Sequence, residues 1–407
     1  MVLAAREIKR LELLINKINN IVFHDNKKLK NMLDIKEYIY IYIFRNAVMV
    51  GSRAKKNLGQ FYTTNSEYIM NGLQLPFNSE EELLIVEPFA GKGDLIDWAK
   101  KTCGPVHHVV VESYDIEPKR DDIQKRDTLL EPPNYAGSWI ITNPPYLARN
   151  KSCEKGVFDK YNTNDLYKCF IMSVVQQNNC KGGIFIIPAG FFFSPRDLDV
   201  RCRSEFMSRY RITKVRYFEE TVFDDTTTTI VAVSFVRSDI VLTSQNVEWN
   251  ILPANTTQTF HMSSVNDWII GGEIYCLPVP KGISVRRYVV GQVKREGEQQ
   301  TFITLNALDS GTKSGRIALE YKKGYLYPAK DCSRTYATFC VMGITLSEED
   351  QIAICESFNE YLEKKRFEYW SLFLPQFRES KEYARKRIPF ELAYRIFLNI
   401  ILQRKSV

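Results

Sequence analysis

The sequence predicts an α/β fold, a doubly wound Rossmann-like sheet followed by a second, C-terminal domain. Between about residues 84 and 235, short apolar runs alternate with polar stretches of helical length. That alternation is the pattern of strands joined by crossover helices. The strand candidates are Leu83–Val86, His108–Val111, Trp139–Thr142, Gly183–Ile187, Lys214–Phe218 and Ile230–Val236. Helix-length segments such as Asp94–Thr102 and Leu166–Asn178 lie between them. A glycine-containing segment follows the first strand, where a tight turn lets backbone approach a ligand. Only a short link separates the last two strands, which predicts an antiparallel edge.

Residues 1–50 read as a basic, helical N-terminal extension, with apolar residues such as Leu11, Leu14 and Ile18 at helical spacing. Residues 51–238 hold the predicted sheet. After about Ser238 the text becomes turn-rich, with Gly271-Gly272, Pro278, Pro280, Gly311 and Gly315, and it turns helical again from Leu346. Residues 239–407 therefore read as a separate domain. The 407-residue chain is 44% hydrophobic, enough for a sizeable core. Its net charge of +7 fits a phosphate-rich partner, because Lys and Arg displace counterions from phosphates; it fits an ordinary basic enzyme equally well. The nine cysteines form no CxxC pair and the four histidines no HExxH. This argues against a metal site or a disulfide framework and for reduced thiols in an intracellular protein. The apolar run Tyr38–Phe44 is too short to cross a bilayer.

Three segments carry chemistry. The first is Glu87-Pro88-Phe89-Ala90-Gly91-Lys92-Gly93-Asp94, directly after the first strand. It lacks GxxxxGK[ST] and a full GxGxxG, so it is a poor phosphate loop. Glu87 at the strand end suits a cation such as an ammonium. The second is Tyr114-Asp115-Ile116-Glu117-Pro118, just past the second strand. There a carboxylate is placed to accept from ribose hydroxyls, and Asp115 lies nearer the strand end than Glu117. Asp127 is a third acidic loop position, although any one of these carboxylates alone is ordinary solvated surface. The third segment, Asn143-Pro144-Pro145-Tyr146, closes the strand Trp139–Thr142. Its prolines remove two backbone donors and stiffen the turn, leaving carbonyls as fixed acceptors. A planar amine that must be held with its lone pair free needs acceptors for its N–H bonds. The Asn143 side-chain oxygen and the Pro144 carbonyl offer them, and Tyr146 offers a flat face.

With these motifs in this order, the chain resembles the amino-methyltransferases that act on adenine in DNA. It is similar to their gamma group, typified by enzymes of thermophilic bacterial restriction–modification systems. In Asn143-Pro-Pro-Tyr-Leu-Ala-Arg-Asn-Lys151 it is similar to the methyltransferases of large algal viruses. The resemblance covers about residues 57–237. It implies a Rossmann-like methyltransferase sheet with a C-terminal target-recognition domain, S-adenosyl-L-methionine as cofactor and double-stranded DNA as substrate. It also implies a cognate restriction endonuclease acting on the same site. Residue by residue, Gly59-Gln60-Phe61-Tyr62-Thr63-Thr64 resembles the segment over the cofactor's methionine end, with Thr63 as the contact. Glu87 and the loop Phe89, Ala90, Gly91, Gly93 match the methionine and ribose site. Asp115 and Ile116 match the ribose and adenine contacts, Asp127 the contact to the cofactor's adenine amine, and Phe170 an aromatic packed on that adenine. Asn143, Pro144, Pro145 and Tyr146 match the catalytic loop, with Pro145 beside the cofactor. Phe223 matches the aromatic that sandwiches an extruded base.

The implied reaction flips adenine out of the duplex, at a cost of a few kcal/mol, and transfers a methyl group directly to N6. Proximity and electrostatic orientation would supply the rate. Two other readings remain open: a protein glutamine N5-methyltransferase, which uses the same loop on a similar planar amide, and a catalytically inactive DNA-specificity subunit. The final domain matches no recognisable motif. Lys313, Arg316, Lys322 and Lys323 are candidate DNA contacts there, or simply a solvated charged face.

Overall fold

The computed structural model describes residues 63, 65–75, 82–103, 108–223, 228–309, 317–330, 332–377 and 384–405. The helical extension expected over residues 1–50 and the segment Gly59–Tyr62 lie outside them, as do Thr64, Lys313 and Arg316.

Residues 65–263 build one mixed nine-stranded sheet with helices packed on it. The order along the chain is α1 (Ser66–Met70), β1 (Leu83–Glu87), α2 (Asp94–Cys103), β2 (Val109–Asp115), β3 (Gln124–Lys125) and β4 (Trp139–Thr142). Then come α3 (Gly156–Tyr161), α4 (Leu166–Gln177), β5 (Gly182–Pro188), α5 (Gly190–Phe193), α6 (Asp197–Met207), β6 (Tyr210–Phe218), β7 (Ile230–Arg237), β8 (Ser244–Leu252) and β9 (Thr256–Ser263). The spatial order is β3-β2-β1-β4-β5-β7-β6-β8-β9. β1 pairs in parallel with both β2 and β4, so the winding reverses between β1 and β4. In open α/β sheets ligands bind at that reversal, beyond the carboxyl ends of the strands.

The strands form where β-branched and aromatic residues cluster. β4 and β5 are buried on both faces, and such strands read as continuous apolar runs. α2 instead buries one stripe, Leu95, Ile96, Trp98, Ala99 and Cys103. It also carries acidic residues in its first turn and lysines in its last, matching the helix dipole. The main core includes Phe185, Phe206 and Phe235 from strands and helices of this layer, and Trp249 of β8 joins it.

Two expectations are corrected here. β6 and β7 are antiparallel, but they are not the edge: β7 lies between β5 and β6, and β8 then pairs in parallel with β6. The sheet therefore continues past residue 238, where the composition changes. The reason is a period-two signal inside the turn-rich text: Val247, Trp249 and Ile251 alternate inward and are fully buried.

Beyond β9 a second layer forms. β10 (Ser284–Arg287), β11 (Glu298–Asn306), β12 (Ala318–Tyr321) and β13 (Tyr336–Met342) make an antiparallel sheet in the order β10-β13-β11-β12. α7 (Glu348–Tyr369) and α8 (Phe390–Lys405) close its core with Phe358, Phe397 and Ile396. A capping box between Ser347 and Asp350 starts α7, satisfying two free N–H groups. Between the helices, β14 (Gln376–Phe377) and β15 (Arg385–Lys386) form a small ladder. It grips the end of β6. Tyr217 donates to Gln376, Lys386 pairs with Glu219, Trp370 Nε1 lies 3.3 Å from Glu219 Oε2, and Ala384 N donates to the Glu219 carbonyl at 2.8 Å. No described helix is long and apolar enough to cross a membrane.

Strand spacing at β4 and β5 depends on Gly183. A Cβ there would sit 2.0 Å from the Ile140 carbonyl oxygen, a backbone atom that cannot rotate away. Gly183→Ala is expected to destabilise the protein by about 1–3 kcal/mol through overpacking, read as a lowered urea midpoint at unchanged m-value. A wild-type midpoint would show that the two strands tolerate separation.

Candidate active site

Glu87, at the carboxyl end of β1, is 1% exposed. Its Oε1 accepts from Phe89 N at 3.1 Å and from Thr142 Oγ1 at 2.5 Å. Oε2 is buried and has no hydrogen-bond partner among the described residues. Burial pushes the pKa up to about 8 despite those two bonds. An orphaned carboxylate oxygen at a strand end is a ready acceptor for an ammonium or hydroxyl group, which would offset much of its desolvation.

The loop after Glu87 turns through Gly91 (φ 54°) and Gly93 (φ 87°), conformations that a side chain disfavours. Asp115, 6% exposed at the end of β2, holds this loop. Its Oδ2 accepts from Gly91 N at 2.8 Å and its Oδ1 from Glu117 N at 2.7 Å. Each oxygen keeps a second lone pair, so a ribose hydroxyl remains an acceptable partner. Next to it, Ile116 is 39% exposed. Asp127 is half-buried and accepts from the Leu129 and Leu130 amides at 3.1 Å. Its neighbour Thr128 donates to the Pro88 carbonyl at 2.8 Å, which ties this turn to the glycine loop.

Asn143, at the carboxyl end of β4, is fixed at both ends of its amide. Nδ2 donates to Thr63 Oγ1 at 3.1 Å, and Oδ1 accepts from the Tyr146 hydroxyl. That hydroxyl also lies 2.7 Å from the Ile186 carbonyl, so one proton is shared between two acceptors. The Tyr146 ring meets Tyr167 edge-on, with centroids 6.3 Å apart. Burial raises the Tyr146 pKa well above the ordinary phenol range, so the hydroxyl stays protonated. Pro144 is buried and Pro145 half-buried.

The glycine loop and Asn143 meet at a small pocket lined by Thr63, Phe89, Ala90, Gly91, Lys92, Asp94, Leu95 and Asn143. The structure thus brings together the glycine loop and the Asn-Pro-Pro-Tyr loop, read separately in the sequence. Thr142, Lys92, Asp94 and Leu95 were missed; Thr142 is the lone polar residue of an apolar strand, a legible sign of a buried hydrogen bond. Two expected aromatics lie elsewhere. Phe170 is fully buried and reaches the pocket only through Phe89, whose ring meets it edge-on at 5.3 Å. Phe223 is 3% exposed and packed in the main core; stacking on a base would require it to leave that packing. Lys322 and Lys323 are exposed and paired with Glu320 and Glu348.

Residues 135–223, which include β4, the Asn143–Tyr146 loop and β5, match the Eco57I restriction-modification methylase family. No curated protein matches the chain. Among solved structures it is similar to a type I restriction-modification methyltransferase subunit from Streptococcus thermophilus, with 16% identity and a TM-score of 0.35, covering 47% of each chain. It is also similar to the EcoKI M protein, with 12% identity, TM-score 0.33, and coverage of 45% of this chain and 50% of that one. A third is the type IIL restriction-modification enzyme MmeI in complex with DNA, with 11% identity, TM-score 0.34, and coverage of 69% and 45%. The chain spans about half the length of these proteins.

The Glu87 pKa gives a signed prediction. Its folded value of about 8 exceeds the ordinary 4.5, so the native state binds the extra proton. Between those two values stability falls as pH rises, by at most about 1.4 kcal/mol per unit. Glu87→Gln should therefore be more stable than the wild type near pH 8, with the gap closing toward 4.5. Parallel melting curves across that range would contradict the buried carboxylate.

Proposed function

We propose that the protein is an S-adenosyl-L-methionine-dependent DNA methyltransferase that acts on the exocyclic N6 of adenine. The observation that carries this reading is Asn143. It sits at the sheet's switch point, in a segment matching restriction-modification methylases, on the wall of a pocket otherwise lined by Thr63 and the loop that follows Glu87. The residues present fit the cofactor: the unpartnered Glu87 Oε2 suits an ammonium, Asp115 a ribose, and exposed Ile116 an adenine face.

When bound, the cofactor supplies a methyl group on a sulfonium sulfur. The chain's own residues do the rest. Asn143 Oδ1 and the Pro144 carbonyl accept the target amine's N–H bonds and leave its lone pair directed at the pocket. For this, Oδ1 must share or exchange the Tyr146 hydroxyl it now holds. That hydroxyl has the Ile186 carbonyl as its alternative acceptor, so the exchange leaves no buried donor unsatisfied. Thr63 Oγ1 accepts from Nδ2 and holds that end of the amide. Tyr146 supplies a stacking face for the extruded base, worth about 1–3 kcal/mol. Phe223 would be the second aromatic of that sandwich once released from the core packing it holds here.

Residues 239–407 carry target choice in this reading, above all the four-stranded sheet and its helices, and a cognate restriction endonuclease acts on the same site. The test is transfer of tritium from labelled cofactor to double-stranded DNA, followed by nucleoside analysis. Label in N6-methyladenine is expected. Label in protein glutamine would establish the other enzyme reading, and none in either the inactive-subunit reading.

Two substitutions separate the roles. Asn143→Ala should lower the transfer rate at least about 100-fold, the scale of losing an orienting contact in a positioned reaction, with cofactor affinity nearly unchanged by calorimetry. Asp115→Ala should weaken cofactor binding by about 1.5–3 kcal/mol, the range for a hydrogen bond to a charged group, and affect DNA binding less. Unaltered cofactor affinity would remove Asp115 from the site.

A further inference from the structure

The exit of the Asn143–Tyr146 loop is held from behind by a charged group that the reaction itself does not use. Asp165 occupies the N-cap of α4, where an aspartate ordinarily accepts from its own helix's free N–H groups. Here its side chain makes no regular cap bond, although the Leu166 and Tyr167 amides lie near enough to favour its charged form. Instead Asp165 Oδ1 accepts from Leu147 N at 3.1 Å, one residue beyond Tyr146. The flanking backbone is paired as well. Leu166 N donates to the Leu147 carbonyl at 3.1 Å, Arg149 N donates to the Asn164 carbonyl at 2.9 Å, and Ala148 bridges Asp165.

A second buried layer stands behind Asp165. Lys168, 6% exposed on the first turn of α4, pairs with Asp199 of α6 and donates to Asn164 Oδ1 at 2.7 Å. Asp199 also accepts from the Ser194 hydroxyl. Arg203, fully buried, donates to the Phe191 carbonyl at 2.6 Å and to the Ser194 carbonyl at 3.3 Å. Buried charges are costly unless paired, and this series links the start of α4 to α6 and the turn after β5. Its front member is aimed at the catalytic loop.

We propose that Asp165 is a positioning residue for methyl transfer: its carboxylate anchors Leu147 N–H and so keeps Tyr146, and through it Asn143, in register with the pocket. The inference rests on the methyltransferase reading for its kinetic part, but not for its structural part. The groups that face Asp165 are the Lys168 ammonium, the Tyr146 and Tyr167 hydroxyls and the Cys169 thiol. Desolvation raises the Asp165 pKa to about 6, opposed by Lys168 and by the Leu147, Tyr167 and Leu166 amides. The anchor is therefore charged at neutral pH. It weakens as pH falls through that value, because a charge-assisted hydrogen bond becomes a neutral one.

The experiment uses the full chain and the variants Asp165→Asn and Asp165→Ala, with melting curves to confirm folding. The first readout is hydrogen exchange at the Leu147 amide, which needs no activity. Protection is expected in wild type, to be reduced in Asp165→Asn and lost in Asp165→Ala. The second is single-turnover transfer as a function of pH. The alanine variant should be slowed by roughly ten- to 100-fold, the penalty for misplacing a reacting group, with cofactor affinity unchanged. The asparagine variant should run at an intermediate rate and lack the wild-type acid limb near pH 6. A Leu147 amide still protected in the alanine variant overturns the anchor. So does an acid limb that survives in the asparagine variant. If wild type transfers no methyl group while the exchange pattern holds, the functional reading fails and the anchor stands.

Discussion

Glu87 joins the two strands on which the site is built. Its carboxylate leaves β1, receives the hydroxyl of Thr142 at the end of β4, and steadies the first amide of the glycine loop. A buried carboxylate with an unfilled oxygen is unfavourable by itself. The fold retains it at the point where the winding reverses, and the surrounding geometry follows. Asn143 comes directly after Thr142, so the strand that satisfies Glu87 also aims the amide. Asp115 holds Gly91 from the neighbouring strand. The carboxyl ends of β1, β2 and β4 thus each place one polar side chain around the glycine loop, and Asn143 together with that loop lines the pocket.

The backbone around the site shows a division of labour between permissive and stiff residues. Gly91 and Gly93 adopt positive φ, which lets their amides turn inward to Asp115 Oδ2 and the Ala90 carbonyl. Pro144 and Pro145 do the reverse, removing donors from the side where an amine would enter. Stiffness in that loop would be of little use if its exit were loose, and the Leu147–Arg149 segment is paired with the start of α4.

Much of this was legible in the sequence because the relevant signals are local. The six strand candidates each correspond to an observed strand, since apolar runs between turn residues mark strands wherever both faces are buried. Glu87 stands out as the first polar residue after its apolar run, Asp115 as a carboxylate just past the second run, and Asn143 as the start of an Asn-Pro-Pro-Tyr turn. What was not legible depends on partners distant in sequence. That Asp115 spends both oxygens on backbone amides, that Asn143 is braced by Thr63, and that Phe170 hides behind Phe89 all follow from packing between segments tens of residues apart. β8 was obscured for another reason. Its Val247-x-Trp249-x-Ile251 alternation lies between polar stretches rich in serine and threonine, so composition masked periodicity. The position of Phe223 in the core reflects the same limit, because a lone aromatic after a strand carries no sign of the face it will choose.

The grip of the β14–β15 ladder on the end of β6 bears on how the chain could be recombined with another. Glu219 is mostly shielded from water, and its partners, Lys386 and Trp370, come from beyond residue 369. A chimera that took its C-terminal half from another chain would leave that carboxylate facing an unrelated surface, and an unpaired buried charge is strongly destabilising. Trp249 would pose a second difficulty, since a junction placed before β8 removes a fully buried indole from the sheet's main core. The two halves are therefore not interchangeable modules in the manner of beads on a string. A transplant that respects the structure would join after β9 and carry the residues facing Tyr217 and Glu219 as a matched set, so sequence drift in the second layer is freest where it does not touch the first.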